Sequence, residues 1–361
     1  MPGRKRARNL LIVLLFIGLF CVLLGRQLLA AEKTRVAYRL AIKGGKLSSE
    51  EAQQLEEKLQ KNPDDLSART MLLGYYGRKA FESNEARTKR QKHILWIIQN
   101  HPDARIAGLP DSGLNPVLDG QVYYEAKNLW LKQADIHNKN TAILGNAANF
   151  FLIYDRDVAE DLLKKAKDLE PKNPEWSERL GHLYALGMSR KSGESRKEEA
   201  SKALEQFENA LSLTPEGEKR FYMLSDLAKQ AFEAGDTDKA SEYATELLNK
   251  APQYRSDWNY GNAVHYGNLI LGRIALEYGQ LEKAKKYLLE AGKTPGSPQL
   301  NSFGPNMTLA RELLEKGESD IVITYFQLCG KFWKMGTERL KNWTSIVKGG
   351  GIPDFAANLS Y

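Results

Sequence analysis

The residues that decide the fold lie between 180 and 215. They open Leu180-Gly181-His182-Leu183-Tyr184 and, after a charged interval, continue Ala203-Leu204-Glu205-Gln206-Phe207-Glu208-Asn209-Ala210, stopping at Pro215. Positions three and four apart are neighbours on a helix surface, so Ala203, Phe207 and Ala210 share one face. Gly181 and Tyr184 form a similar small and large pair on the preceding segment. Two antiparallel helices cross closely only where one presents Ala or Gly, and a large residue one turn later fills the gap between them. This stretch reads as one helical hairpin.

The hairpin recurs along the chain. Upstream, Ala159, Leu163, Ala166 and Pro171 repeat its second half at the same intervals. Downstream come Ala240, Ala244, Leu247 and Pro252, then Ala284, Leu288 and Ala291 with Pro295 one residue early. Leu309-Ala310, followed by Val322, Phe326 and Cys329, makes a last, degenerate copy. Gly235, Gly279 and Gly317 each stand five residues before the key small position, where a left-handed turn ends the first helix of a pair.

In order and spacing these positions resemble the tetratricopeptide repeat (TPR). The key residues 159, 203, 240, 284 and 322 are 44, 37, 44 and 38 apart, longer than that family's usual period of about 34. A charged insertion at 189–199 and a second at 252–262 absorb the excess. The resemblance implies an all-α, right-handed, TPR-like solenoid of helical hairpins. It also implies that the first helices line a concave face that grips a protein or peptide partner. No alternating run of β-branched residues argues for strands.

The N-terminus has a different character. Arg4, Lys5, Arg6 and Arg8 precede an apolar run over 10–25, and after Arg26-Gln27 the run resumes through Ala31. A basic start and an apolar core constitute an export signal or a signal-anchor. The first sixteen apolar residues would rise only about 24 Å, whereas 10–31 spans a hydrocarbon core if Arg26 snorkels. Cleavage after Ala30 or Ala31 would place Leu28 or Leu29 where a small residue is wanted, which favours a retained transmembrane anchor over secretion after cleavage. The expected organisation is thus an anchor or signal over 1–31, a basic stem over 32–46, a divergent helical region over 47–139, the repeat array over 140–333, and a capping segment over 334–361. The expected location of the folded part is outside the cytoplasm, periplasmic or extracellular.

Charge bears on the partner. The chain carries a formal +7, but residues 1–46 alone carry +9, so the remainder sums to −2. A nucleic-acid surface needs a concentrated basic patch, and on this ground no nucleic-acid partner is expected. Apolar residues make up 42% of the chain and charged residues 27%, which excludes wholesale disorder. Cys329 is the one thiol beyond the apolar N-terminal run, so neither a disulfide framework nor a cysteine zinc site is available.

Chemistry is hard to find. The histidines at 93, 101, 137, 182 and 265 show no ligand spacing, and there is no metalloprotease motif, phosphate loop or nucleophile elbow. No catalytic residue, metal or cofactor is assigned, and intrinsic catalysis is not expected. Two sets of residues remain as candidates for partner contact. Lys229, Arg273 and Arg311 each lie six residues before a turn glycine, which makes a basic row across three repeats suited to an acidic segment. Glu233, Glu277 and Glu315 follow each base by four residues, and helix-stabilising pairs would account for the same pattern. Tyr254, Trp258, Tyr260 and Tyr266 cluster around the second insertion beside Asn259, Asn262 and Asn268, a set that suits a peptide or, alternatively, an envelope glycan or a role as accessory module of an enzyme complex. Trp343, Phe355 and Leu359 are the residues expected to cover the open end of the array.

Overall fold

A computed structural model describes residues 32–359. The anchor or signal expected over 1–31 lies outside the described residues. Every regular element among the described residues is helical. The described residues divide into two compact units, one up to Glu170 and one from Pro171.

The first unit contains α1 (32–44), α2 (Ser49–Lys61), α3 (Leu66–Lys79), α4 (Asn84–Asn100), α5 (Gln121–Ile136), α6 (Thr141–Phe151) and α7 (Arg156–Leu169). The expected start of α2 is a full capping box. The Ser48 hydroxyl accepts from the Glu51 amide, and the Glu51 carboxylate accepts from the Ser48 amide. Within the basic stretch 32–46, residues 32–44 are helical, with Ala37 and Ala41 buried. A Cβ on Gly74 would lie 1.9 Å from the Ala41 carbonyl oxygen, so only glycine permits this crossing of α1 and α3. A polar knot joins α2, α3 and α4. Glu56 accepts from Tyr76 at 2.7 Å and from His93 Nε2 at 3.2 Å, while Arg69 donates to His93 Nδ1 at 3.2 Å and lies over the Trp96 ring. Because arginine has only donors, Nδ1 is the accepting nitrogen and Nε2 carries the proton.

The second unit contains α8 (Pro174–Gly187), α9 (Gly193–Leu213), α10 (Glu218–Glu233), α11 (Thr237–Lys250), α12 (Tyr260–Glu277), α13 (Leu281–Gly292), α14 (Pro298–Phe303), α15 (Thr308–Leu314), α16 (Ser319–Phe332) and α17 (Thr337–Lys348). Helices α8/α9, α10/α11 and α12/α13 pack as hairpins, and α10 packs on α12. The repeat pattern read from the sequence is the buried pattern. Ala159, Leu163 and Ala166, and the equivalent triplets at 203/207/210, 240/244/247, 284/288/291 and 322/326/329, are all at most 2% exposed. A Cβ on Gly181 would meet the Phe207 ring at 2.8 Å, so that glycine is the close approach at which the first hairpin crosses. The three turn glycines have φ of +80°, +68° and +85°. Each begins the same stop: at 235–236, for example, Gly235 bonds back to Phe232 and Asp236 to Ala231.

Two features depart from the sequence reading. Much of the insertion at 189–199 is helix, because α9 begins at Gly193 and is extended by charge. Glu199 is buried and accepts from Lys191 and Lys202, while Arg196 donates to the Met188 carbonyl. The chain after α13 makes only two short helices, α14 and α15, in place of a long first helix. The C-terminal tail packs on the last helices. Phe355 packs edge-on against Trp343 at 4.9 Å and near Phe326, both buried, with Leu359 partly buried at the margin. Asn358 fixes this tail by donating to the Phe303 and Pro305 carbonyls and accepting from the Met307 amide.

Candidate functional site

The first helices of successive hairpins in the second unit present their inner faces side by side, and a groove of about 390 Å³ lies along them. From α8 it receives Glu178 and His182, from α10 Tyr222, Ser225, Asp226, Lys229 and Glu233, and from α12 Asn262, Tyr266, Leu269, Ile270 and Arg273. Trp258 and Asn259 enter from the insertion before α12, Arg196 from α9, and Leu359 from the tail. The spacing 222, 226, 229, 233 follows from helix geometry: one face of α10 is repeated each turn.

One end of the groove is aromatic and acidic. The Trp258 and Tyr222 rings lie 5.5 Å apart and tilted, and Trp258 remains 55% exposed. Tyr222 is held by its hydroxyl, whose single proton is shared between the Asp257 and Glu218 carboxylates. Burial and those two carboxylates push the Tyr222 phenol far above its usual range, so it stays a donor. The opposite end is a charge ladder. Arg196 Nε meets Glu233 at 2.8 Å, Arg273 meets Glu233 at 3.5 Å and Glu312 at 2.8 Å, and the Arg273 guanidinium lies 4.3 Å over the Phe232 ring. Burial opposes ionisation of Glu233, but Arg196, Arg273 and Lys229 prevail and hold its carboxyl below the usual range. At Glu312 the balance is reversed: burial, aided by Glu277 and Glu315, outweighs Arg273 and raises the carboxyl.

Between the two ends lie Asp226 and Lys229. Neither makes a hydrogen bond or an ion pair within 4.0 Å among the described residues, although they are one turn apart on α10. Burial raises the Asp226 carboxyl against the pull of His182 and Lys229. Burial likewise lowers the Lys229 ammonium, against Asp226 and Glu233 and with the help of Arg196 and Arg273.

The two candidate sets from the sequence therefore meet in part. Lys229, Arg273, Trp258 and Tyr266 all line the groove. The basic row is not presented as three free cations. Arg311 is taken by Glu315 at 3.0 Å, whereas Arg273 reaches across repeats to Glu312 rather than to Glu277 on its own helix. Tyr254 stacks on Phe221 at 4.3 Å and Tyr260 opens α12; neither lines the groove. The asparagines that favoured a glycan are occupied: Asn262 joins Asn259, Gln299 and Ser297, and Asn268 donates to the Val264 carbonyl. Tyr222, Asp226 and Arg196 escaped the sequence reading. The only signal for them was the position of Tyr222 and Asp226 on the face of α10 that also carries Lys229.

No protein-family model matches the chain, and no curated protein matches it by sequence. Solved structures do. The human IFIT1 dimer with PPP-AAAA is 19% identical over 82% of this chain and 69% of its own, with a TM-score of 0.45. A monomeric mutant of IFIT1 with Gppp-AAAA is 18% identical over 81% of this chain and 67% of its own, with a TM-score of 0.43. Among the described residues the chain is an all-α helical-repeat protein with TPR-like hairpins. The exclusion of nucleic acid drawn from the charge distribution is withdrawn, because the two solved structures it matches hold PPP-AAAA and Gppp-AAAA. Physically, a net charge summed over the whole body does not report the local charge of one groove, and Arg196, Lys229 and Arg273 reach this one.

Proposed function

We propose that this chain is a non-catalytic binding scaffold whose second unit grips a segment of a partner protein in the groove between α8, α10 and α12. The observation that carries the reading is the groove itself: consecutive first helices offer one continuous, half-apolar trough with a half-exposed tryptophan at its rim. Tryptophan at that exposure offers a large contact area at small conformational cost. Ser225, His182 and Asp226 all reach the trough, but Ser225 Oγ makes no hydrogen bond and His182 is edge-on to Phe207, so no base addresses that hydroxyl. That arrangement favours holding over bond-making.

The anchor belongs to the same proposal, and it rests on the sequence of 10–31. No helix among the described residues is long and apolar enough to cross a membrane. Fractionation of the full chain tests this part: retention in washed membranes supports an anchor, and release with a mature start near Glu32 replaces it with a cleaved signal.

Site-specific photo-crosslinking tests the groove. A photoreactive phenylalanine analogue at position 258 is expected to capture a protein from the native source, and the same analogue at exposed Lys202 is not. An RNA adduct at 258, or equal labelling at both positions, refutes the reading.

A further inference from the structure

The polar groups of the groove are unequally engaged. Arg196 and Arg273 are held by Glu233 and Glu312, and Glu178 is held by Lys219 at 2.9 Å. Asp226 alone among the acids of the groove lacks a direct partner among the described residues. Its neighbour Lys229 has an alternative, because a long flexible stem reaches Glu233 one turn further along α10. A short aspartate stem has none. Beside Asp226, Tyr222 and Trp258 offer ring faces, with Glu218 and Asp257 fixed at the Tyr222 hydroxyl. Aromatic faces ringed by carboxylates attract cations and repel anions.

We propose that the groove selects partner segments that carry a lysine or arginine side chain, with Asp226 receiving the cationic head and Tyr222 and Trp258 flanking its aliphatic stem. The inference rests on the groove being the partner site. An ammonium or guanidinium seated at Asp226 supplies the opposing charge that burial withholds there. The same geometry disfavours an acidic segment at this end, since it would bring carboxylates against Glu218, Asp257 and Asp226. Lys229 then turns toward Glu233, which completes the charge ladder at the other end.

The test uses the full chain and short peptide pools, random except at one central position fixed as Lys, Arg, norleucine or Glu. Retention on wild type is expected to favour the Lys and Arg pools by about tenfold or more over norleucine, the range of one charge-assisted contact. Asp226→Asn, which keeps the shape, is expected to erase that preference while retaining the norleucine pool. Trp258→Ala, at a half-exposed position that tolerates truncation, is expected to weaken the Lys and Arg pools most. Equal retention of all pools, preference for the Glu pool, or an undiminished Lys preference in Asp226→Asn overturns the inference and leaves the groove reading standing. Failure of every pool to bind overturns both.

Discussion

His265 makes the second unit sensitive to acid, and the size of the effect can be worked from its contacts. The ring is fully buried on α12. Its Nδ1 donates to the Ala291 carbonyl at 3.2 Å, and its Nε2 accepts from the Asn306 amide at 3.1 Å. Both nitrogens are therefore committed to the neutral ring, and a second proton would face an N–H donor. Burial lowers the pKa to about 4 from 6.5. As pH falls, the unfolded chain takes up the proton first. The stability tied to neutral His265 is complete above 6.5 and is lost progressively between 6.5 and about 4. Between pH 7 and pH 5 the loss is about 2 kcal/mol, and over the whole window about 3 kcal/mol, at ~1.4 kcal/mol per unit. The assay is urea unfolding followed by tryptophan emission at a series of pH values. His265→Gln keeps one donor and one acceptor but has no proton to gain. It should be less stable than wild type at pH 7, yet show a slope between pH 7 and 5 shallower by the same amount. Parallel slopes in the two proteins would show that His265 does not titrate in this window.

Three further outcomes follow from the packing. Gly279→Ala places a side chain at a φ of +68° with no neighbour within 4 Å, so pure backbone strain should cost about 1 kcal/mol, read as a lower melting temperature. Phe355→Ala empties a 1%-exposed site against Trp343 and Phe326 and should cost about 3–5 kcal/mol in urea unfolding; a loss below 1 kcal/mol would mean the tail does not cap the array. Cys329 is fully buried, and burial pushes its thiol well above the ordinary range, so it should resist a thiol reagent until denaturant is added. Rapid labelling of the native chain would contradict its place in the core.

The repeat was legible because it rests on a constraint that composition cannot evade. A helix crossing at close range needs Ala or Gly there, and five copies of that need at related spacing left a pattern in the chain. The turn glycines were legible for a similar reason, since a left-handed stop is expensive for any other residue. The extension of α9 into 193–199 was not legible. Its helix is held by contacts of Arg196 with Met188 and of Glu199 with Lys191, and a run of Ser, Gly, Lys and Glu reads locally as a solvated loop. The Glu, Arg and Lys of 194–199 are good helix formers, so the tertiary contacts add to local propensity there.

The groove shows the same limit from the other side. Lys229 and Arg273 were found by aligning equivalent positions, which indicates that two side chains share a row but not what each one touches. On the sequence alone Arg273 belongs with Glu277, four residues on. In the fold α15 brings Glu312 within 2.8 Å and α10 brings Glu233 within 3.5 Å, so the cation is used across repeats instead. Asp226 is the converse case. Nothing in its local sequence marks it, because an aspartate three residues before a lysine on a helix reads as an ordinary solvated pair. Its significance arises only when α8 and α12 line the same groove and partly bury it without supplying a hydrogen-bond partner among the described residues. A residue of that kind is defined by what neighbouring helices withhold, and one helix read by itself holds no record of that.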